Sequence, residues 1–220
     1  MEKILGYVIQ FGVILFALSI HEASHAWMAN RFGDPTAKDQ GRITLNPLAH
    51  IDPIGTVIFP IILAIAHQPV FGWAKPVMVN PYNLRDPKRD NLYISAAGPG
   101  SNILMAIIGI IIFLMLKKLG IVNLQYEGGV LYTGGQVLVL TYILLYFIQI
   151  NVILAIFNLL PIPPLDGSGI LEGLLHGEAL YQYRKIRPYG FVILILLIYL
   201  NILRYIAEPV FNIVFSILGG

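Results

Sequence analysis

The chain contains no cysteine, which excludes disulfides and thiolate metal ligands and leaves the compartment undecided. Charge is also scarce: 12% of its 220 residues are Asp, Glu, Lys or Arg, against 57% hydrophobic. A soluble domain of 24.4 kDa could not cover that much apolar surface with so few charges, and a mean hydropathy of +0.75 makes lipid the main solvent. There is no arginine-rich arm and no basic patch interleaved with aromatics. The net charge is only +2, so nucleic acid is not an expected partner. A cleavable secretory signal is excluded too. The apolar run over 4–29 is longer than a signal core and lacks a basic start followed by a small-residue cleavage pattern.

What is present is a set of long apolar runs. Four carry a membrane signal: 4–30; 93–116, closed by Lys117 and Lys118; 136–160, broken at Pro161; and 189–203, where Arg204 interrupts. Arg204 and Glu208 are four apart and can pair, so 209–218 either extends the last helix or lies at the interface. The run 53–66 is below the roughly 20 residues needed to span and contains Pro60. Charge decides how to read it. If this run crosses, the basic residues on the two faces balance. If it re-enters, Arg31, Lys38, Arg42, Lys75, Arg85, Lys88, Arg89, Arg184, Lys185 and Arg187 share one face against Lys3, Lys117 and Lys118 on the other. Ten against three is the asymmetry that the positive-inside rule expects, with the N-terminus outside and the basic face cytosolic. The expected fold is therefore an all-α polytopic membrane protein of about four to six transmembrane helices. A re-entrant or β-hairpin element is expected between the first and second main spans. One domain is expected over 1–220, with a core of about 4–178 and a C-terminal membrane segment of about 189–218.

The first run holds His21-Glu22-Ala23-Ser24-His25. On a helix, positions i and i+4 share a face, so two imidazoles meet one metal. Glu22, one step round the turn, is placed to take a proton from a water that the metal activates. Ionisable residues inside a membrane run are expensive and by default functional. A catalytic zinc usually takes three protein ligands and leaves a position for water. Asp166 is the best candidate for the third, because it follows the Pro161-Ile162-Pro163-Pro164-Leu165 break and precedes Gly167, which gives the chain freedom to turn. A plain helix N-cap is the alternative for Asp166, and the two roles are compatible. In the re-entrant topology, the end of the first span and the end of the third approach the same cytosolic face. The reaction implied is amide hydrolysis without a covalent intermediate; no G-x-S-x-G elbow occurs to support a serine route.

On these motifs the chain resembles the site-2 proteases, the intramembrane zinc metalloproteases, in their short bacterial and archaeal branch. The matching pieces are His21 to His25, Asn46-Pro47-Leu48-Ala49-His50-Ile51-Asp52-Pro53-Ile54-Gly55-Thr56, Gly72-Trp73-Ala74-Lys75-Pro76-Val77, Ala97-Gly98-Pro99-Gly100-Ser101-Asn102 and the stretch from Asn158 to Gly167. The resemblance implies one Zn2+ per chain on His21, His25 and Asp166, with Glu22 as general base. It implies substrate-binding roles for Asn158 and Asn102, although a helix-end bond and packing at a Gly-Pro turn are the respective alternatives. The stretch 42–79 resembles a β-type re-entrant region where an unwound substrate strand can add. The implied activity is cleavage of membrane-protein or peptide substrates in or near transmembrane segments. The implied location is the lipid bilayer of a prokaryotic inner membrane, multi-pass, with the active site nearer the cytosolic face. No room is left for the PDZ or CBS domain of other branches. A transporter with an ion in transit, or an inactive metal-binding scaffold, are the rival readings; a polar cluster at one depth and an intact glutamate speak against them. For the remaining histidines, His50 is expected to make a loop hydrogen bond, His67 to sit at a turn, and His176 to lie at the interface on a helix over 172–180.

Overall fold

Helix α1 runs unbroken over Glu2–Arg31 in the computed structural model, which describes residues 2–65, 73–122, 125–127, 130–132 and 138–219. The turn expected at His67, the residue Gly72 and the start of the 136–160 run lie outside the described residues. The end of α1 is written locally. Gly33 takes φ 105, its N–H bonds Asn30 O at 3.2 Å, and Asp34 N–H reaches back to Ala29 O at 3.0 Å. That is a Schellman cap, which needs a left-handed residue at this position, and glycine adopts it without penalty.

Buried Asp34 then ties the chain down. Its Oδ1 accepts from the Thr36 N–H and hydroxyl and from Asn83 Nδ2, and its Oδ2 from Asn80 N–H at 2.7 Å. Helix α2 (Thr36–Asp39) follows. Asn46 and Asp52 cap the short turns that come next, Asp52 at the head of a π-helical turn over Pro53–Ile58 that runs into α3 (Phe59–Ile65). The two together are too short to span a bilayer. Residues 73–80 belong to no helix or strand. No strand pairing occurs within 42–79 among the described residues, where residues 53–65 are helical. The paired strands, β1 (Gln125–Glu127) and β2 (Val130–Tyr132), come later and are antiparallel.

Helix α4 (Pro87–Lys118) is the centre of the protein. Asp86 caps it by accepting from Arg89 N–H, while Asp90 accepts from Asp86 N–H, so the two carboxylates satisfy donors reciprocally. Its 32 residues extend about 48 Å, more than a hydrocarbon core. It packs on α1, on α5 (Leu138–Asn158) and on α6 (Asp166–Leu174). Gly109 lets α5 approach: a Cβ there would stand 2.8 Å from Ile148 Cγ1. Phe113, Ile148, Val152, Val214 and Leu218 fill the interior beside it.

The C-terminal part differs from expectation twice. The helix expected over 172–180 is two, because α6 stops at Leu174 and α7 (Gly177–Arg184) begins after His176, with Gly177 at φ 55 as its first residue. The span expected over 189–203 is a ten-residue helix, α8 (Gly190–Tyr199), followed by α9 (Ile202–Gly219). Asn201 breaks them at φ 55, a left-handed conformation that asparagine tolerates better than other side chains. Hydropathy alone does not register such a break. Residues 209–218 do extend a helix, α9, and Arg204 pairs with Glu208 at 3.7 Å. Among the described residues, four helices are long and apolar enough to cross a membrane, namely Gly6–Arg31, α4, Val139–Asn158 and α9. Apart from the short β1–β2 pair, the described fold is all-α, and it is that of a membrane protein.

Candidate metal centre

The helical period of α1 stacks His21 and His25 one turn apart, with ring centroids 4.7 Å apart. The Pro-rich turn after α5 delivers Asp166 to them as the first residue of α6. Three atoms converge. His21 Nε2 lies 3.0 Å and His25 Nε2 3.2 Å from Asp166 Oδ2, and the two Nε2 atoms are 3.1 Å apart. Topology on paper brings these ends together, and the fold does so.

The far sides of both rings set their tautomers. His25 Nδ1 faces the backbone carbonyl of Ile94 at 2.7 Å, so this nitrogen carries the proton. His21 Nδ1 faces Asn102 Oδ1 at 2.6 Å; Asn102 Nδ2 donates to Asn151 Oδ1 at 2.9 Å, and Asn151 Nδ2 donates to Phe147 O at 2.8 Å. A backbone carbonyl only accepts, so the series has one sense and ends with a protonated His21 Nδ1. In the neutral imidazoles, both Nε2 atoms therefore present lone pairs. Asp166 Oδ2 adds a third, buried and without a hydrogen-bond donor among the described residues.

Three acceptors facing one another repel unless a cation lies among them. Their separations fit one. Tetrahedral zinc with nitrogen and oxygen ligands at about 2.1 Å has ligand–ligand edges of about 3.4 Å, close to the separations here. His21, His25 and Asp166 are the group of metal-capable side chains that the fold assembles among the described residues.

Gly98 supplies the floor. A Cβ at this position of α4 would collide with His25 Nε2 and stand 2.6 Å from His21 Nε2. Pro99, next to it, has no N–H for the carbonyl of Ser95, so the helix ladder is interrupted where α4 passes the histidines. Gly167 has a different purpose from the turn expected of it. Its φ is not left-handed; it is glycine because a Cβ would strike the carbonyls of Leu159 and Leu160, allowing α6 to press against the end of α5.

Glu22 lies beside the triad in a cavity of about 360 Å³ lined also by Val77, Ser95, Asn158 and Asp166. Val77 N–H donates to Glu22 Oε2 at 3.0 Å. The segment carrying Val77 is held by buried Arg42, which donates to the carbonyls of Ala49, Lys75 and Pro76. Asn158 reaches the cavity wall, its Nδ2 bonded to Leu154 O at 2.9 Å. Asn102 does not line the cavity and is fully buried behind His21. His50 donates from Nε2 to Thr44 O at 2.9 Å, the loop bond expected of it.

Sequence reasoning passed over Asn151, Arg42 and the purpose of Gly98. Asn151 had a signal, a polar amide within the predominantly apolar helix α5, which it shares with Gln149. Arg42 had none, since its partners are backbone carbonyls.

The profile of peptidase family M50 matches residues 9–199. Among curated proteins, YwhC of Bacillus subtilis (strain 168), named as a candidate zinc metalloprotease, is 36% identical over 199 residues, covering 90% of this chain and 84% of YwhC. Rip2 of Mycolicibacterium smegmatis, named likewise, is 29% identical over 84% of this chain, and the match spans 64% of Rip2. Rip2 of Mycobacterium tuberculosis (strain ATCC 25618 / H37Rv) is 28% identical over 83% of this chain, and 63% of that protein is covered. No solved structure matches. With the family profile covering most of its length, the chain belongs to peptidase family M50, the site-2 protease family of metalloendopeptidases.

Proposed function

We propose that this protein is a zinc-dependent intramembrane protease that hydrolyses peptide bonds in or near transmembrane segments, with one Zn2+ held by His21, His25 and Asp166. The observation that carries the reading is the convergence of three lone pairs, on two Nε2 atoms and Asp166 Oδ2, with the opposite ring nitrogens committed as donors. The names of YwhC and Rip2 point to the same metal.

When bound, zinc supplies a Lewis acid that brings the pKa of water towards neutrality and polarises a carbonyl. The chain's own residues do the rest. Glu22, oriented by Val77 N–H on Oε2, takes a proton from the attacking water and passes it to the leaving amine nitrogen. Asn158, on the cavity wall, is assigned a contact to the substrate backbone. Asn102 is assigned to His21 rather than to substrate. A transmembrane helix hides its peptide groups and must unwind before it can be cut. The ten-to-three basic asymmetry supports a cell-membrane location with the site towards the cytosolic face.

The test is metal content by mass spectrometry of detergent-purified protein, alongside cleavage of a labelled single-span peptide. Wild type should hold about one zinc, with His21→Ala and Asp166→Ala losing it. Glu22→Gln should keep zinc while cleavage falls by about 10²–10⁴. Zinc kept after Asp166→Ala would remove the third ligand, and undiminished cleavage by Glu22→Gln would remove the general base.

A further inference from the structure

The geometry points to Asn151 as a positioning residue for the metal site, acting on His21 through Asn102; the inference rests on the zinc reading above. Asn151 touches neither the cavity nor a ligand. It is fully buried on α5, two hydrogen bonds away from His21 Nδ1.

An asparagine amide has nearly the same outline either way round, so shape alone does not orient Asn102. What orients it is Asn151 Oδ1, which accepts and so requires Nδ2 opposite, leaving Asn102 Oδ1 for His21. Asn151 is itself oriented by Phe147 O, which has no alternative role. Remove the Asn151 acceptor and Asn102 loses its preference between two orientations. In the reversed one it offers an N–H to His21 Nδ1. That nitrogen must then accept, and the ring proton sits on Nε2, the atom that faces Asp166. This tautomer has no lone pair for a metal. A single amide on the third spanning helix therefore selects which nitrogen of His21 is available on the first.

Zinc affinity, by chelator competition on the detergent-purified full chain, tests the assignment, with the thermal midpoint of the metal-free protein recorded alongside. Asn151→Leu, similar in volume and without an amide, is expected to raise the Kd about 10–100-fold, as does loss of other outer partners of metal-bound histidines. Asn151→Ala carries the same expectation should the leucine variant not purify. Asn151→Asp keeps an oxygen facing Asn102 Nδ2 and should stay within about threefold of wild type. The Asn102→Leu/Asn151→Leu double variant should be no weaker than Asn102→Leu alone, because a series fails only once. Ile148→Val, a packing change one turn away, should lower the midpoint and leave the Kd unchanged. A wild-type Kd in Asn151→Leu or Asn151→Ala, equal losses in Asn151→Asp and Asn151→Leu, or additive losses in the double variant would each overturn the assignment. Wild type without zinc, or zinc held at wild-type affinity by His21→Ala, would overturn the metal reading itself and this inference with it.

Discussion

Replacing Gly98 by alanine adds one methyl group where the two Nε2 atoms meet. The new carbon would stand 2.6 Å from His21 Nε2 and closer still to His25 Nε2. An ordinary contact needs about 3.4 Å, so His21 would have to retreat by about 0.8 Å. Neither ring is free to do so: His21 is bonded to Asn102 and His25 to Ile94 O. A zinc ligand tolerates only about 0.2 Å, so at least one ligand is lost. Structural zinc sites with four protein ligands bind with about 10–16 kcal/mol, roughly 3 kcal/mol for each ligand, so loss of one of the three here should cost about a hundredfold in Kd. The same substitution favours the helix itself, since alanine exceeds glycine by about 0.8–1.0 kcal/mol in a helix interior. Chelator competition and the thermal midpoint of the metal-free protein separate the two effects. The expected pair is zinc affinity down about a hundredfold with the midpoint held or raised. Wild-type zinc affinity in Gly98→Ala would refute the reasoning, because it would mean that the metal does not lie where the three acceptors converge.

Other perturbations have equally definite outcomes. Arg42→Met should lower kcat about tenfold or more with zinc content unchanged, because the segment presenting Val77 N–H to Glu22 loses its guanidinium staple; Arg42→Lys should recover only part, since a single ammonium cannot reproduce the fork. Burial pushes the Asp34 carboxyl up, and the donors on Thr36, Asn83 and Asn80 hold it below its usual value. Its contribution is therefore present above the unfolded pKa of about 3.9 and is lost as pH falls through the lower folded value. The gap in thermal midpoint between wild type and Asp34→Asn should close as pH drops below about 4, and a gap that widens there would reverse the sign. Asn201→Ala should cost about 1 kcal/mol in chemical denaturation and Asn201→Gly almost nothing, because only the left-handed φ is at stake. Asn158→Ala should lower kcat/KM for the single-span peptide while leaving zinc bound, whereas a loss of zinc would make it a structural residue.

Much of the site was legible because its parts follow local rules. The i, i+4 spacing of His21 and His25 needs only a helix, and the approach of Asp166 follows from counting crossings and charges. The hydrogen-bond shell was not legible, because it depends on which faces meet. Asn102 sits in a motif, but its pairing with His21 and Asn151 appears only when α1, α4 and α5 are packed. The collision that makes Gly98 a glycine is with side chains 73 and 77 positions away in sequence. In the C-terminal part, apolar composition marked membrane residues correctly but did not separate one helix from two, since Asn201 stops α8 through a single backbone angle. Over 42–79, the turns at Asn46 and Asp52 follow ordinary capping chemistry, and the helical course of 53–65 was open to either reading.

The contact between Val77 and Glu22 is made by a main-chain amide, and a main-chain amide is indifferent to the side chain beside it. Position 77 can thus drift through the whole range of residues without altering how the glutamate is aimed, proline excepted, because it alone lacks the N–H. The wall of the cavity beside Glu22 is in this respect free to change its chemical character while the hydrogen bond that holds the glutamate stays the same.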